Sequence, residues 1–244
     1  MPRKTDDNEA RRGLRHKLIA AAVAFVCVPA VIALGMAVWD NRKYYIVSLL
    51  IILLSMIPFA LLFERRKPKA RELVVLAVMV AIGVAGRAAF YMLPQFKPVT
   101  AIVIICGVAF GCESGFISGA MIGFLSNFIF GQGPYTPWQM EAWGIVGFIA
   151  GLLFHRKDGS VPKLLPLCVY GAVSSFFIYG VLMDISTVFT SGMEVNRQTV
   201  LATLQAGVIF NLIHAASTVI FLLVLARPML KKLDRMRVKY GLLE

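Results

Sequence analysis

The chain consists of long apolar runs separated by short polar segments. The runs occupy residues 18–38, 44–63, 73–93, 100–112, 116–131, 138–154, 164–189 and 199–226. A helix needs about 20 apolar residues to cross the hydrocarbon core of a bilayer, and the longer runs have that length. The pattern therefore predicts an all-α integral membrane protein.

The apolar stretch from residue 100 to residue 131 fits either one helix or two. One helix of that length would extend about 48 Å, which is too long for a bilayer unless the helix is strongly tilted. A break at GCESG, residues 111–115, gives eight spans and places 20 of the 25 lysines and arginines on one side. Since cytoplasmic loops are enriched in these residues, we expect eight spans with both termini cytoplasmic. The two short spans would be tilted or partly re-entrant.

Basic segments also predict the domain boundaries. Residues 1–63 hold a basic N-terminus and an accessory transmembrane hairpin, and ERRKPKARE, residues 64–72, reads as a cytoplasmic linker. Residues 73–230 then form a six-helix substrate-binding core, and residues 231–244 form a basic cytoplasmic tail. The predicted fold is a six-helix bundle preceded by a two-helix membrane hairpin.

Composition supports a membrane protein and argues against a nucleic-acid-binding one. The chain is 59% hydrophobic and 16% charged, whereas soluble domains carry about 25% charged residues. The net charge of +12 is explained by basic cytoplasmic loops. The cysteines lack the spacing of a metal site or of a CxxC pair, so we interpret them as small apolar fillers. They are Cys27, Cys106, Cys112 and Cys168.

Catalytic motifs are absent from the sequence. It contains no HExxH, no GxSxG and no phosphate-binding loop, so we predict neither catalytic residues nor an ATPase of its own, and no cofactor or metal. The polar positions differ from span to span, which does not suggest a symmetric channel.

Small residues recur every four positions in two places. Such spacing lets membrane helices approach closely, and it is typical both of packing inside a bundle and of a docking face for a partner. The alanine series is the better docking candidate, because nothing polar interrupts it before Arg87. The two series are Gly107, Gly111, Gly115, Gly119 and Gly123, and Ala77, Ala81, Ala85 and Ala89.

Three charged residues fall in the outer third of predicted spans. Because intramembrane charges are costly, Arg87, Glu141 and Asp184 indicate either a buried ion pair or a shared cavity open to the outside. Arg87 is expected to pair with one of the two acids. Asn211 and His214 lie deeper, and His214 is either a hydrogen-bonded packing residue or a ligand contact.

The segment SNFIFGQGPYTPWQM, residues 126–140, gathers amides, glycines, prolines and aromatics between two apolar runs. Together with the loop at residues 93–100 and the outer helix ends, it predicts an outward-facing pocket for a small molecule. The predicted substrate-binding residues are Arg87, Phe90, Tyr91, Lys97, Asn127, Gln132, Tyr135, Trp138, Gln139, Glu141, Trp143, Asp184 and Asn211.

The segment from Arg87 to Phe154 resembles the substrate-binding S components of energy-coupling factor (ECF) vitamin transporters. The resemblance is carried by GRAAFYMLPQFKPVTAIVIICGVAFG and GFISGAMIGFLSNFIFGQGPYTPWQMEAWGIVGFIAGLLF, and it extends over residues 72–230. It implies a six-helix bundle with an outward vitamin pocket, and partners consisting of a T component with two ATP-binding subunits. In such proteins small residues of the first core helix contact the T component, which would assign docking to Ala77, Ala81 and Ala85.

The segment at residues 126–140 resembles the corresponding segment in the branch of S components that binds cobalamin or its precursors. The resemblance therefore implies a subunit of an ECF-type ABC importer in the bacterial cell membrane, which captures cobalamin or a benzimidazole-containing precursor. Two alternatives remain open. One is an S component for riboflavin, a pterin or a queuosine precursor, and the other is a membrane assembly or sensory protein without transport. The N-terminal hairpin departs from the six-helix pattern.

Overall fold

A computed structural model describes residues 70–156 and 160–240 of the chain, and these residues form helices and no strand. The predicted N-terminal hairpin lies outside the described residues. Residues 70–72, which the sequence assigned to the linker, already belong to the first helix. The helices are α1 (Ala70–Ala89), α2 (Val99–Phe110), α3 (Cys112–Phe130), α4 (Thr136–Phe154), α5 (Leu164–Thr190, with a π-helical part at Ser174–Gly180) and α6 (Arg197–Tyr240).

Gly111 separates α2 from α3, which confirms the predicted division of the long apolar stretch. Its φ of 93° is in a region that glycine adopts without steric cost. Its N–H donates to the carbonyl of Gly107 at 2.9 Å and so caps the end of α2. With 12 residues, α2 is only about 18 Å long, which is too short to cross a bilayer alone.

Four of the described helices are long and apolar enough to cross a membrane: Ala70–Ala89, Cys112–Phe130, Leu164–Thr190 and Arg197–Met236. The last helix continues to Tyr240, well past the end predicted at residue 226. Because two of the predicted spans lie outside the described residues, the eight-span topology with cytoplasmic termini stays a prediction.

Glycines let α2, α3 and α4 pack backbone against backbone. A Cβ atom added to Gly115 would overlap the carbonyl of Gly147, and one added to Gly119 would overlap the carbonyl of Trp143. A Cβ on Gly151 would lie 2.5 Å from the amide nitrogen of Cys112. The interpretation of the glycine series as packing inside the bundle is therefore confirmed.

The alanine series of α1 has the opposite surroundings. Ala77, Ala81 and Ala85 are exposed, whereas Met79 and Arg87 point into the bundle and are buried. The described part of the chain thus leaves the alanine face uncovered, while the other side of α1 packs against the core.

Candidate ligand-binding site

Arg87 connects the outer end of α1 to α3. Its guanidinium donates to the hydroxyl of Ser126 and, at 2.7 Å, to Oδ1 of Asn127. The same group lies over the ring of Phe130, with 4.3 Å between Cζ and the ring centroid, which is a cation–π geometry. Hydroxyl, amide and aromatic groups therefore contact this buried charge.

The structure contradicts the predicted ion pair of Arg87 with Asp184. The guanidinium donates to Ser126 and Asn127, and the pairing with Glu141 stays a prediction. Asp184 instead accepts a hydrogen bond at 2.8 Å from Asn211 Nδ2, and its carboxylate fits against α6 because Gly207 has no side chain. Equal depth in the membrane did not bring Arg87 and Asp184 together, because Asp184 lies at the α5–α6 contact and Arg87 points towards α3.

The loop between α3 and α4 is held in place by hydrogen bonds to its own ends. Asn127 Nδ2 donates to Thr136 Oγ1 at 3.0 Å, and the backbone N–H of Gly133 donates to the same oxygen at 3.2 Å. The hydroxyl of Tyr135 donates to the carbonyl of Gly131, and Tyr135 is half-buried. These bonds fix where α4 begins, and so they fix the depth at which its polar side chains lie.

An aromatic cluster forms where α4, α5 and α6 meet. The rings of Trp143 and Tyr179 stack with centroids 4.9 Å apart, and His214 meets Tyr179 edge-on at 4.5 Å. Gln139 Nε2 donates to the Tyr179 hydroxyl at 2.8 Å. Gln139 and Trp143 therefore share one face of α4. Cζ of Arg87 lies 5.1 Å from the Trp143 ring.

A hydrogen-bonded chain extends the cluster to α2. The indole N–H of Trp143 donates to Thr100 Oγ1 at 3.0 Å, and the same oxygen lies 2.7 Å from His214 Nε2. The three side chains are buried. We call Thr100, Gln139, Trp143, Tyr179 and His214 the aromatic cluster.

Sequence reasoning named Gln139 and Trp143 and left His214 open, but it missed Thr100 and Tyr179. Thr100 is the first residue of one apolar run, and Tyr179 lies within another. Their proximity to α4 is visible only after folding, because Thr100 belongs to α2 and Tyr179 to α5.

Three buried polar atoms in this region have no hydrogen-bond partner among the described residues: Trp138 Nε1, Gln139 Oε1 and His214 Nδ1. Leaving such a group unpaired costs about 1–3 kcal/mol, and an unpaired group in a native protein calls for an explanation such as a bound molecule. The Trp138 ring itself stacks on Phe189, with 5.7 Å between centroids. The atoms are therefore candidates for contact with a ligand.

The aromatic residues that were predicted at the end of α1 lie on a different surface. Tyr91 is exposed, and its ring is 4.9 Å from that of Phe130. Phe90 packs edge-on against Phe221 of α6 at 5.2 Å. Only Tyr91 is thus connected to the surroundings of Arg87, through Phe130.

Two further predicted residues form their side-chain hydrogen bonds outside the aromatic cluster. Gln132 is exposed and donates to the carbonyl of Phe124 at 3.0 Å. Lys97, in the loop between α1 and α2, donates to the carbonyl of Leu93 at 2.9 Å. Partial burial, and then the nearby charge of Arg87, lower the pKa of Lys97 below its ordinary value.

A cleft of about 600 Å³ lies between the outer end of α5 and the start of α6. It shares no residue with the aromatic cluster, and alanines, a methionine and polar side chains line it. The lining residues are Thr187, Met193, Gln198, Thr199, Ala202, Thr203 and Ala206.

Comparison with known families gives a match to the model of the ECF-type riboflavin transporter, S component, over residues 67–232. Neither the curated proteins nor the solved structures gave a match to this chain. The match covers more than half of the chain and reaches from α1 into α6. It does not confirm the cobalamin branch, since the matched family is that of riboflavin transporters. The chain therefore belongs to the family of ECF-type riboflavin transporter S components, and it is a multi-pass membrane protein that serves as the substrate-binding subunit of a vitamin transporter, not as an enzyme.

Proposed function

We propose that this S component captures riboflavin, or a closely related flat heterocyclic vitamin, on the outside of a bacterial cell membrane. It passes the vitamin inward together with a T component and two ATP-binding subunits. The observation that carries the proposal is the buried aromatic cluster, in which polar atoms without partners lie beside large flat rings. The family match supports riboflavin as the first ligand to test.

The side chains at this site suit a flat ring system that carries polar groups at its edge. Trp143 and Tyr179 offer stacking surfaces, and each stacked aromatic pair contributes about 0.5–1.5 kcal/mol beyond the burial of area. Arg87 holds a positive charge next to Trp143. Several such contacts together account for part of the roughly −12 kcal/mol that nanomolar affinity requires.

Cobalamin or a benzimidazole-containing precursor is the second candidate. It is supported by the resemblance of residues 126–140 to the cobalamin branch. His214 is buried between α2 and α5, so coordination of cobalt by this residue is not expected. The two candidates differ in size and in the polar groups at the ring edge, and both would use the rings of the aromatic cluster.

The exposed alanine face of α1 is the proposed docking surface for the T component. ECF S components work with a T component and ATP-binding subunits, and they need a face that a second membrane protein can reach. Ala77, Ala81 and Ala85 form such a face, and the described residues do not cover it. Small side chains there would let a helix of the partner approach closely.

Titration of the purified protein with a panel of vitamins tests the proposal. The panel comprises riboflavin, cobalamin, 5,6-dimethylbenzimidazole and a pterin, with tryptophan fluorescence as the signal. We expect riboflavin to quench at submicromolar concentration and Trp143→Leu to lose most of that response. Trp39→Phe, which lies outside the predicted core, serves as the control and should respond like the unmodified protein. Tight binding of cobalamin without any response to riboflavin would favour the second candidate, and no response to any member of the panel would contradict both.

A further inference from the structure

The hydrogen bonds around Thr100 determine which nitrogen of His214 carries the proton. An indole N–H can only donate, so Thr100 Oγ1 is the acceptor in its 3.0 Å contact with Trp143. Among the described residues, the only other hydrogen bond of this hydroxyl is the 2.7 Å contact with His214 Nε2. The hydroxyl hydrogen must therefore point at Nε2, which acts as the acceptor. A neutral imidazole carries one proton, and that proton is then on Nδ1.

The opposite tautomer would leave two buried groups without partners instead of one. If Nε2 carried the proton, Thr100 would receive two N–H groups, its own hydroxyl hydrogen would have no acceptor, and the bare Nδ1 would have no donor. Thr100 is fully buried, and an unpaired buried donor costs about 1–3 kcal/mol. An imidazolium has the same defect, and it would add a second positive charge to a site where Arg87 already lies against Trp143.

Nδ1–H of His214 is consequently a buried donor without a partner. A matching acceptor belongs to another side chain that contacts Tyr179. Gln139 donates from Nε2 to the Tyr179 hydroxyl, which leaves its Oε1 buried and without a partner. Both side chains touch the same tyrosine, His214 through the ring edge and Gln139 through the hydroxyl. One unused donor and one unused acceptor thus belong to two side chains that contact the same tyrosine.

We propose that His214 is a ligand-binding residue whose Nδ1–H donates to a carbonyl oxygen of the vitamin, while Gln139 Oε1 accepts from a neighbouring ring N–H. Thr100 and Trp143 act as positioning residues that hold the required tautomer. The site then selects a heterocycle with a lactam or imide edge, in which C=O and N–H are adjacent and coplanar. This inference rests on the proposed function and specifies the ligand chemistry of that site. The dioxopyrimidine ring of a flavin has such an edge, whereas dimethylbenzimidazole has no carbonyl group.

The tautomer is measurable in the full-length protein without any ligand. Nitrogen-15 NMR of labelled histidine, with His16→Gln and His155→Gln to leave one signal, should report a proton on Nδ1 and a bare Nε2. Thr100→Ser should keep this state, and Thr100→Val should lose it. A proton on Nε2, or an imidazolium, in the unmodified site would overturn the inference. On saturation with riboflavin the Nδ1 signal should shift, and an unchanged signal would mean that something else, such as a buried water, satisfies the donor.

Affinity for riboflavin separates a ligand contact from a packing role. The amide nitrogen of asparagine comes closest to the position of Nδ1, and that of glutamine comes closest to Nε2. We therefore expect His214→Asn to bind riboflavin within about threefold of the unmodified protein, and His214→Gln to bind about 10- to 100-fold more weakly, as for loss of one buried hydrogen bond. Equal losses in the two variants would overturn the assignment.

A methylated flavin tests the role of Gln139. The unmodified protein should bind N3-methylriboflavin, which lacks the imide N–H, more weakly than riboflavin, and Gln139→Leu should bind the two flavins equally well. A Gln139→Leu variant that keeps the full preference for riboflavin would contradict the pairing. If the unmodified protein bound no riboflavin at all, the proposed flavin function itself would fail. A protein that binds riboflavin but shows equal losses at His214 fails this inference alone.

Discussion

Two series of small residues in this protein, the glycines of α3 and the alanines of α1, share a four-residue spacing but differ in residue type and in burial. The glycines of α3 lie against α4, where Gly115 and Gly147 bring the two backbones into direct contact. The alanines of α1 lie on the outside, and the described residues leave Ala77 and Ala81 exposed. The same sequence pattern therefore has two outcomes, which depend on whether another helix of the chain covers the face.

The residue type follows from how close the neighbour comes. At the α3–α4 contact even one added Cβ would overlap a carbonyl group, so only glycine fits there. Alanine retains a Cβ, which suits an approach between two separate proteins that must also come apart. In lipid such contacts depend on close packing, because apolar side chains gain little from leaving the hydrocarbon. The glycine stripe therefore holds the fold together, and the alanine stripe is available for assembly.

Gly147→Val should have the largest effect. Its Cβ would overlap the carbonyl of Gly115, and backbone cannot move aside as a flexible side chain can. We expect the free energy of unfolding to fall by about 3 kcal/mol or more, the upper end of the range for overpacking. Thermal unfolding and size-exclusion chromatography in detergent would measure the loss. Ala85→Val introduces the same side chain on the exposed stripe as a control and should unfold like the unmodified protein. An unchanged midpoint for Gly147→Val would refute the account of the buried stripe.

Ala81→Leu should abolish uptake and leave the fold and ligand binding intact. The larger side chain would hold a docked helix away from α1 without touching the core, because Ala81 is exposed. Transport into vesicles that contain the T component and both ATP-binding subunits is the measurement. Val208→Leu enlarges an exposed residue of α6 and should transport normally. Normal transport by Ala81→Leu would exclude the alanine stripe as the docking face.

The apolar runs predicted where most of the helices lie, because length and hydropathy are properties of consecutive residues. The break at Gly111 was predictable for the same reason, since one continuous helix would have been too long for a bilayer. The end of α6 was not predictable, because the segment from Arg227 to Tyr240 is polar and basic and yet continues the helix. Hydropathy identifies the part of a helix that lies in lipid, not the part beyond it.

The candidate site was predictable only where its residues are neighbours in sequence. Gln139 and Trp143 are four residues apart, and that spacing places them on one face of α4. Their contacts with Tyr179 and Thr100 depend on how α2 and α5 are placed around α4, which spacing does not specify. The wrong pairing of Arg87 with Asp184 has the same origin, because similar depth in the membrane was treated as proximity.

Arg87→Met should have a smaller effect on stability than Gly147→Val. The change removes the hydrogen bonds to Ser126 and Asn127 and leaves the Asn127 Oδ1 without its donor, which costs about 1–3 kcal/mol. Arg87→Lys retains the charge and should recover part of the loss. Combination with Asp184→Asn, measured by chemical unfolding, should give additive losses, because Asp184 bonds to Asn211 instead. A coupling of more than about 1 kcal/mol between the two sites would indicate an ion pair between Arg87 and Asp184 and contradict the site geometry.

Lys97 lies in the loop that joins the helix with the alanine stripe to the helix that begins the glycine-packed core, and its pH response should be the smallest effect. Partial burial and the charge of Arg87 lower the pKa of Lys97 in the folded protein, so the unfolded chain binds this proton more tightly. Above the ordinary lysine pKa of about 10.4 the side chain is uncharged in both states, and Lys97 does not destabilise the folded protein. This stability is lost as the pH falls through the lowered pKa of the folded protein, because the side chain there becomes charged.

At pH 7 the charge on Lys97 therefore destabilises the folded protein. Solvent screening keeps this effect below about 1 kcal/mol. Lys97→Met should be slightly more stable than the unmodified protein at pH 7, and the difference should shrink as the pH approaches 10. Lys97→Arg is the matched control, because a guanidinium stays charged over this range and its difference from Lys97→Met should not shrink. Chemical unfolding in detergent at several pH values would measure both differences. A difference between Lys97→Met and the unmodified protein that grows with pH would have the wrong sign for a lysine whose charge is disfavoured by Arg87.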